Sequence, residues 1–284
     1  MPGLSAIKIM GHLAFMKDGK TLPIKYEPKY HKDRYKKEMG AAPKQVPIAW
    51  FKNAAQGYKH YQQSCDERGK DFADFHDAMV DAVAYSHNMW KLQAKLKDLK
   101  VNALTALGTP GCLDGPELES NIKNAPMVAS FSGNMAKHRD AVAKGVSKCF
   151  KDWQGKVMVP GLPWFPAFVA FPAPTAPPMP NIPIPLIACP SAMMAKICAP
   201  NDMAKAMDDA LDGGLKDKDK DKQFKSLHNA IATTLSLAFL MWLPAQQVML
   251  VMGKGPIPTF APPFVPVGPV VMGDNISAPG CVMA

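Results

Sequence analysis

The sequence predicts a mainly α protein: a helical hairpin or three-helix unit joined to extended, Pro-rich arms without regular secondary structure. Three observations carry that expectation. Residues 72–107 contain neither Pro nor Gly and are rich in Ala, Leu, Lys and Asp, which favours one long helix. Met127, Phe131, Met135, His138, Val142, Val146, Cys149 and Trp153 recur every three or four residues, the clearest 3.6-residue period in the chain. The stretch from Val157 to Ala195 carries no charge and is dense in proline, and so is the stretch from Pro256 to Val271. Proline removes backbone donors and fixes φ, so neither stretch is expected as a helix or a central strand.

Taken in order, residues 1–48 read as a basic, irregular arm broken by Pro23, Pro28, Pro43 and Pro47. Leu4, Ile7, Ile9, Leu13 and Phe15 suggest a short strand or anchor at its start. The first 44 residues hold ten Lys/Arg against four Asp/Glu, so this arm carries +6 of the chain's net +9. A helical domain is expected over 49–153. Helical texture runs from Ala49 to about Arg68, restarts at Gly69-Lys-Asp71 with Asp71 as an N-cap, and ends at Gly108-Thr-Pro-Gly. Asp114-Gly-Pro-Glu117 has the form of a second helix start, with Pro at the first position and acids in the first turn.

Residues 154–200 form the first apolar Pro-rich segment and 255–284 the second. Each is expected to run near polyproline II, with aromatic side chains projecting from a stiff rod. Such rods expose a long apolar surface unless they lie in grooves, on this chain, a sister copy or another protein. The interface candidates are therefore Trp164, Phe165, Phe168, Phe171, Ile184, Trp242, Phe260 and Phe264. Between the rods, residues 201–254 hold a short helix capped by Asn201-Asp202, an alternating charge run from Lys216 to Lys222, and an apolar helix. No charge lies between His228 and Gly253. Pro244 and Gln246-Gln247 interrupt that run, which favours burial in an oligomer over membrane insertion through residues 230–252.

Composition agrees with an assembly part. The chain has 284 residues, with 28 prolines, 19 methionines and 20% charged residues, low for a free-standing domain. Methionine suits adaptable interfaces. The six cysteines show no Cys-x-x-Cys pair and read as buried thiols. Cys281-Val-Met-Ala matches a prenylation pattern, but residues 255–280 carry only Asp274 and lack the usual basic cluster.

The search for chemistry yields no catalytic, cofactor-binding or metal-ligating residue. The chain has no phosphate-binding glycine loop, nucleophile elbow or His-Glu-x-x-His. His76 and His87 are three helical turns apart, too far to share a metal. Asp208, Asp209 and Asp212 read as a solvated face, and Cys65 near His60 and Asp66 lacks a third orienting group. The charge-free, Pro- and Met-rich texture of 157–284 resembles minor virion proteins of tailed bacteriophages and related contractile particles. That resemblance implies a structural subunit of a tail, baseplate or neck, located in the virion, without cofactor or active site. Its partners would be copies of itself and other structural proteins of the particle. Two alternatives come from the residues: a membrane-inserting protein using 230–252, membrane-associated in the cell, and a cytoplasmic nucleic-acid binder. The second would use Lys25 to Lys37, where Tyr26, Tyr30 and Tyr35 alternate with cations.

Overall fold

The computed structural model describes residues 4–17, 48–102, 104–164, 175–219, 222–257 and 270–283. The basic segment 25–37 and the candidates Phe165, Phe168, Phe171, Phe260 and Phe264 lie outside the described residues. In chain order the elements are α1 (Leu4–Lys17), α2 (Ile48–Gln93), β1 (Lys95–Leu96), β2 (Lys100–Asn102), β3 (Thr105–Gly108), β4 (Leu113–Asp114), α3 (Glu119–Lys123), α4 (Gly133–Gln154), β5 (Val159–Pro163), β6 (Thr175–Pro180) and β7 (Ile184–Pro185). After a 3₁₀ turn at Leu186–Ala188 come α5 (Ala195–Cys198), α6 (Pro200–Ala210), α7 (Gly213–Lys218), α8 (Gln223–Ala245), β8 (Gln247–Val248), β9 (Met252–Pro256), β10 (Gly273–Ile276) and β11 (Val282–Met283).

The mainly α expectation is overturned. A six-stranded antiparallel sheet in the order β5-β3-β2-β10-β9-β6 forms a layer of its own, with a two-stranded β1-β4 pair and a three-stranded β11-β8-β7 sheet beside it. The Pro-rich arms are not without regular structure, because they supply β5, β6, β7, β10 and β11 and the last two residues of β9. The physical reason lies in sheet position. Proline cannot donate to a ladder on both sides, and β5 and β6, which carry most of the strand prolines, occupy the two edges. The edges then meet: Trp164 bridges Asn181, and the Ile182 N–H donates to the Pro163 carbonyl at 2.8 Å. The sheet thus curls toward a small barrel and leaves little unpaired edge there.

The curl is possible because Gly253 has no side chain. A Cβ at that position would sit 2.9 Å from the Trp164 ring, which is buried at 2% exposure. Asn181, itself buried, fixes the closure: its amide donates to the Val248 carbonyl at 3.0 Å and its Oδ1 accepts from the Val251 N–H at 3.0 Å.

The long helix also departs from expectation. It begins at Ile48, runs unbroken past Gly69 and Asp71, and stops at Gln93 rather than near Leu107. Lys95 to Gly108 instead form strands, with Asp98 at φ +57° turning the chain. In β2 only Val101 is buried, and in β3 Ala106 and Gly108 are. That inside–outside alternation belongs to a half-buried strand, and it outweighs the local helix propensity of Ala, Leu and Lys. The start of the chain is a helix, α1, packed on α8, with Ile7 and Phe15 buried and Phe15 stacked on Phe72 of α2. After Asp114-Gly-Pro-Glu117 the helix begins only at Glu119 and is five residues long. Gly213-Gly214 opens α7 instead of ending a helix, capped by the Asp212 side chain, which accepts from the Leu215 N–H at 3.3 Å.

The 3.6-residue period is realised in α4, which buries Val142, Val146, Cys149, Phe150 and Trp153. These pack with α2 and α8 around an aromatic hub of Trp90, Trp153, Trp242, Phe150 and Phe239. One continuous cluster of buried side chains runs from Phe75 in the helical layer to Val282 in the sheets. Helix α8 is long and apolar enough to cross a membrane, yet two thirds of that window, 67%, is buried inside this chain. Within the chain, α8 packs against α1, α6 and α2.

Candidate functional site

Three connections leave the same end of the six-stranded sheet. The register pairs Asn102 with Thr105, Thr105 with Pro163, Thr175 with Pro256, and Gly273 with Val101. The β2–β3 turn, the β5–β6 connection and the β9–β10 connection therefore all emerge there, and none of the three carries a charge. The described residues at this end are unusually apolar for an exposed surface. Leu104 is 42% exposed, Val271 41% and Met272 80%. Met272 also sits at φ +56°, a region a long side chain adopts only under strain, and its N–H donates to Asn102 Oδ1 at 3.0 Å. Charge reappears one step down the sheet, where Lys100 pairs with Asp274 at 2.8 Å across β2 and β10, and Lys254 lies opposite Asp274 in β9. An apolar tip above a charged girdle is a docking geometry, since it offers apolar area with a polar rim.

The sequence-derived interface residues fall differently. Trp164 and Trp242 are buried in this chain's own core, at 2% and 0% exposure, so neither is an external contact. Ile184 is half-buried in β7, packed against the core. The described parts of both Pro-rich ribbons pair and pack within this chain, the first of the grooves expected for them. What reasoning from the residues missed is the exposed set Leu104, Val271 and Met272. Leu104 lay inside the expected helix, and only the register places it at the same sheet end as Met272.

Titratable groups gather at three places in the helical layer. On α1 and α2, His12 Nε2 lies 3.0 Å and His76 Nδ1 2.8 Å from Asp77 Oδ1. Burial pulls His76 below its ordinary value. Burial pushes the Asp77 carboxyl up, but the hydrogen bond from His76 and the charges of His12 and Lys8 outweigh it and hold the group low. His87 is fully buried in the aromatic hub, its ring 4.4 Å from that of Trp242. Neither of its ring nitrogens meets a hydrogen-bond partner among the described residues, and burial drives its pKa well below the usual range. His228 Nδ1 lies 2.7 Å from Asp208 Oδ1, which corrects the reading of Asp208 as part of a solvated face. The His138 ring follows at 6.1 Å from that of His228, and burial pulls the pKa of His138 down to about 4.

His138 also lines a cleft of about 750 Å³, with Phe72, Phe75, Phe131, Met135 and Leu227. An Asp–His pair needs a nucleophile on its far nitrogen to start acyl transfer. His228 Nε2 meets no partner among the described residues. Burial pushes Cys112 and Cys149 up to about 11 and Cys189 and Cys281 up to about 12, far from the thiolate form a nucleophile or metal ligand needs. Cys281, 2% exposed, lies buried beside β11 rather than presented for lipidation.

No protein-family model matches the chain, and no curated protein and no solved structure matches it.

Proposed function

We propose that the protein is a structural subunit of a larger assembly, which docks the apolar end of its six-stranded sheet against a neighbouring copy of itself. The observation that carries this reading is the exposed, strained Met272 beside Leu104 and Val271, where three charge-free connections leave the sheet. Monomeric proteins seldom leave such a patch in water. Burial of α8 against α1 and α6 supports this reading over insertion of α8 into a membrane. Placement in a phage tail, baseplate or neck is the most specific form of the proposal and rests on the texture of residues 157–284 alone.

The test compares the full chain with Leu104→Asp/Met272→Asp by sedimentation and by flotation with liposomes. The parent chain is expected to sediment as an oligomer that resists high salt, and the double variant as a monomer with unchanged helical content. A detergent-free monomer that the two substitutions leave unaltered would falsify the assembly reading. Flotation of the parent chain, lost in the double variant, would transfer the same apolar end to a membrane role.

A further inference from the structure

The second feature of the molecule that calls for a ligand lies away from the sheet, where α1 meets α2 and α8. Helix α1 approaches closest at Gly11, where any Cβ would overlap the His76 ring and the Thr234 hydroxyl. One residue on, His12 is placed over α2, and one turn back Lys8 pairs with Asp81 at 2.7 Å, holding α1 in the same register. His12 Nε2, His76 Nδ1 and Asp77 Oδ1 thereby converge, all within 4.8 Å of one another. His76 is immobilised: its ring is fully buried, and Nε2 lies 3.1 Å from Thr234 Oγ1. The Thr234 hydroxyl has its own acceptor in the Ala230 carbonyl at 3.1 Å. Without a metal, His76 Nδ1–H donates to Asp77 across 2.8 Å. A bound metal would replace that proton, and Nε2–H would then donate to the Thr234 oxygen, whose own proton is directed to Ala230.

We propose that His12, His76 and Asp77 form a site for one borderline divalent transition-metal ion, with zinc the reference case, which staples α1 to α2. Two imidazoles and one carboxylate suit zinc, cobalt or nickel rather than calcium or magnesium, which take oxygen ligands. Around a tetrahedral zinc at about 2.0–2.1 Å, ligand atoms stand roughly 3.3 Å apart. The separations of 2.8 and 3.0 Å on Asp77 lie a few tenths short of that, within reach of small side-chain rotations. His12 and Asp77 are about one third exposed, at 31% and 37%, so the fourth position opens to water. Thr234 takes the outer role that orients a ligating imidazole. The signal was hidden in the sequence because His12 stands 64 residues before His76, with no recognisable spacing.

The competing arrangement is purely protonic, with Asp77 Oδ1 accepting an N–H from each ring, and titration of the chelator-treated full chain with Co²⁺ and Zn²⁺ separates the two. The expected result is one ion per chain, with cobalt showing the absorption of low coordination and zinc displacing it. His12→Gln and Asp77→Asn, both at half-exposed positions, are expected to weaken zinc at least about a hundredfold, and Thr234→Val by about tenfold to a hundredfold. Helical content is the check that His12→Gln still folds, and His138→Gln serves as a control that leaves binding unchanged. Affinity no better than roughly 100 μM, the weak level of an isolated surface histidine, overturns the proposal. So does tight binding that survives both His12→Gln and Asp77→Asn, since the ion then sits elsewhere.

Discussion

The helical layer and the six-stranded sheet handle apolar surface in opposite ways. In the helical layer, Trp90, Trp153 and Trp242 are sealed at 0% exposure, between helices whose apolar faces recur at 3.6-residue spacing. In the sheet, the interior is narrow and filled by Trp164 against a glycine, while the rim leaves Met272 80% exposed. The same composition therefore yields a sealed core at one place and an exposed apolar rim at the other. Hydrophobic content alone does not separate the two, whereas position at a sheet end does.

The strongest way to break the comparison is to open the helical hub. Trp242→Ala is expected to destabilise the fold by about 3–5 kcal/mol, read by denaturant unfolding, because the surrounding rings cannot close the cavity. Equal loss from Leu104→Asp would erase the distinction between hub and rim, since a surface change there is expected to stay within about 0.5 kcal/mol. Gly253→Ala ranks next. Its Cβ would meet the Trp164 ring at 2.9 Å, and overpacking of this kind destabilises by about 1–3 kcal/mol. Unchanged stability would mean that the barrel interior is looser than the helical core.

A pH titration sharpens the comparison from the helical side. The pKa of His138 is lowered from 6.5 to about 4 in the fold, so the unfolded chain takes up this proton first. Stability is then full above about pH 6.5 and falls as the pH drops toward 4. His138→Gln should flatten that slope in denaturant midpoints measured across the window, and an unchanged slope would assign the acid sensitivity to other groups. The smallest effect is expected at the rim. Met272→Gly relieves the left-handed backbone and should stabilise the monomer by about 0.5–1 kcal/mol, while removing the largest exposed side chain. A loss of stability would show that Met272 packs on the sheet rather than projecting from it.

The parts of the fold that were legible are those with local causes. The α4 face shows its period because residues three and four apart share a helix surface. The prolines of β5 and β6 ruled out central strand positions, and these strands stand at the edges. The illegible parts have distant causes. β10 pairs with β2 across roughly 170 residues, Asp274 opposite Lys100, and neither strand exceeds four residues. Strands that short show too little alternation to outweigh the helix propensity of Lys95 to Leu107. The candidate site divides in the same way: charge-free ribbons could be read directly, but the placing of Leu104 and Met272 at one sheet end, and the meeting of His12 with His76, could not.

By itself the sequence determined where charge is absent, where the 3.6-residue apolar period of α4 runs, and where closely spaced prolines keep β5 and β6 at sheet edges. Each follows from chemistry within a few residues. Only the tertiary structure decided that the ribbons close a sheet on their own chain, that Trp164 and Trp242 are core, and that the exposed apolar rim lies at one end. Strand register and helix docking depend on the joint packing of segments far apart in the chain, and no local stretch contains that energy.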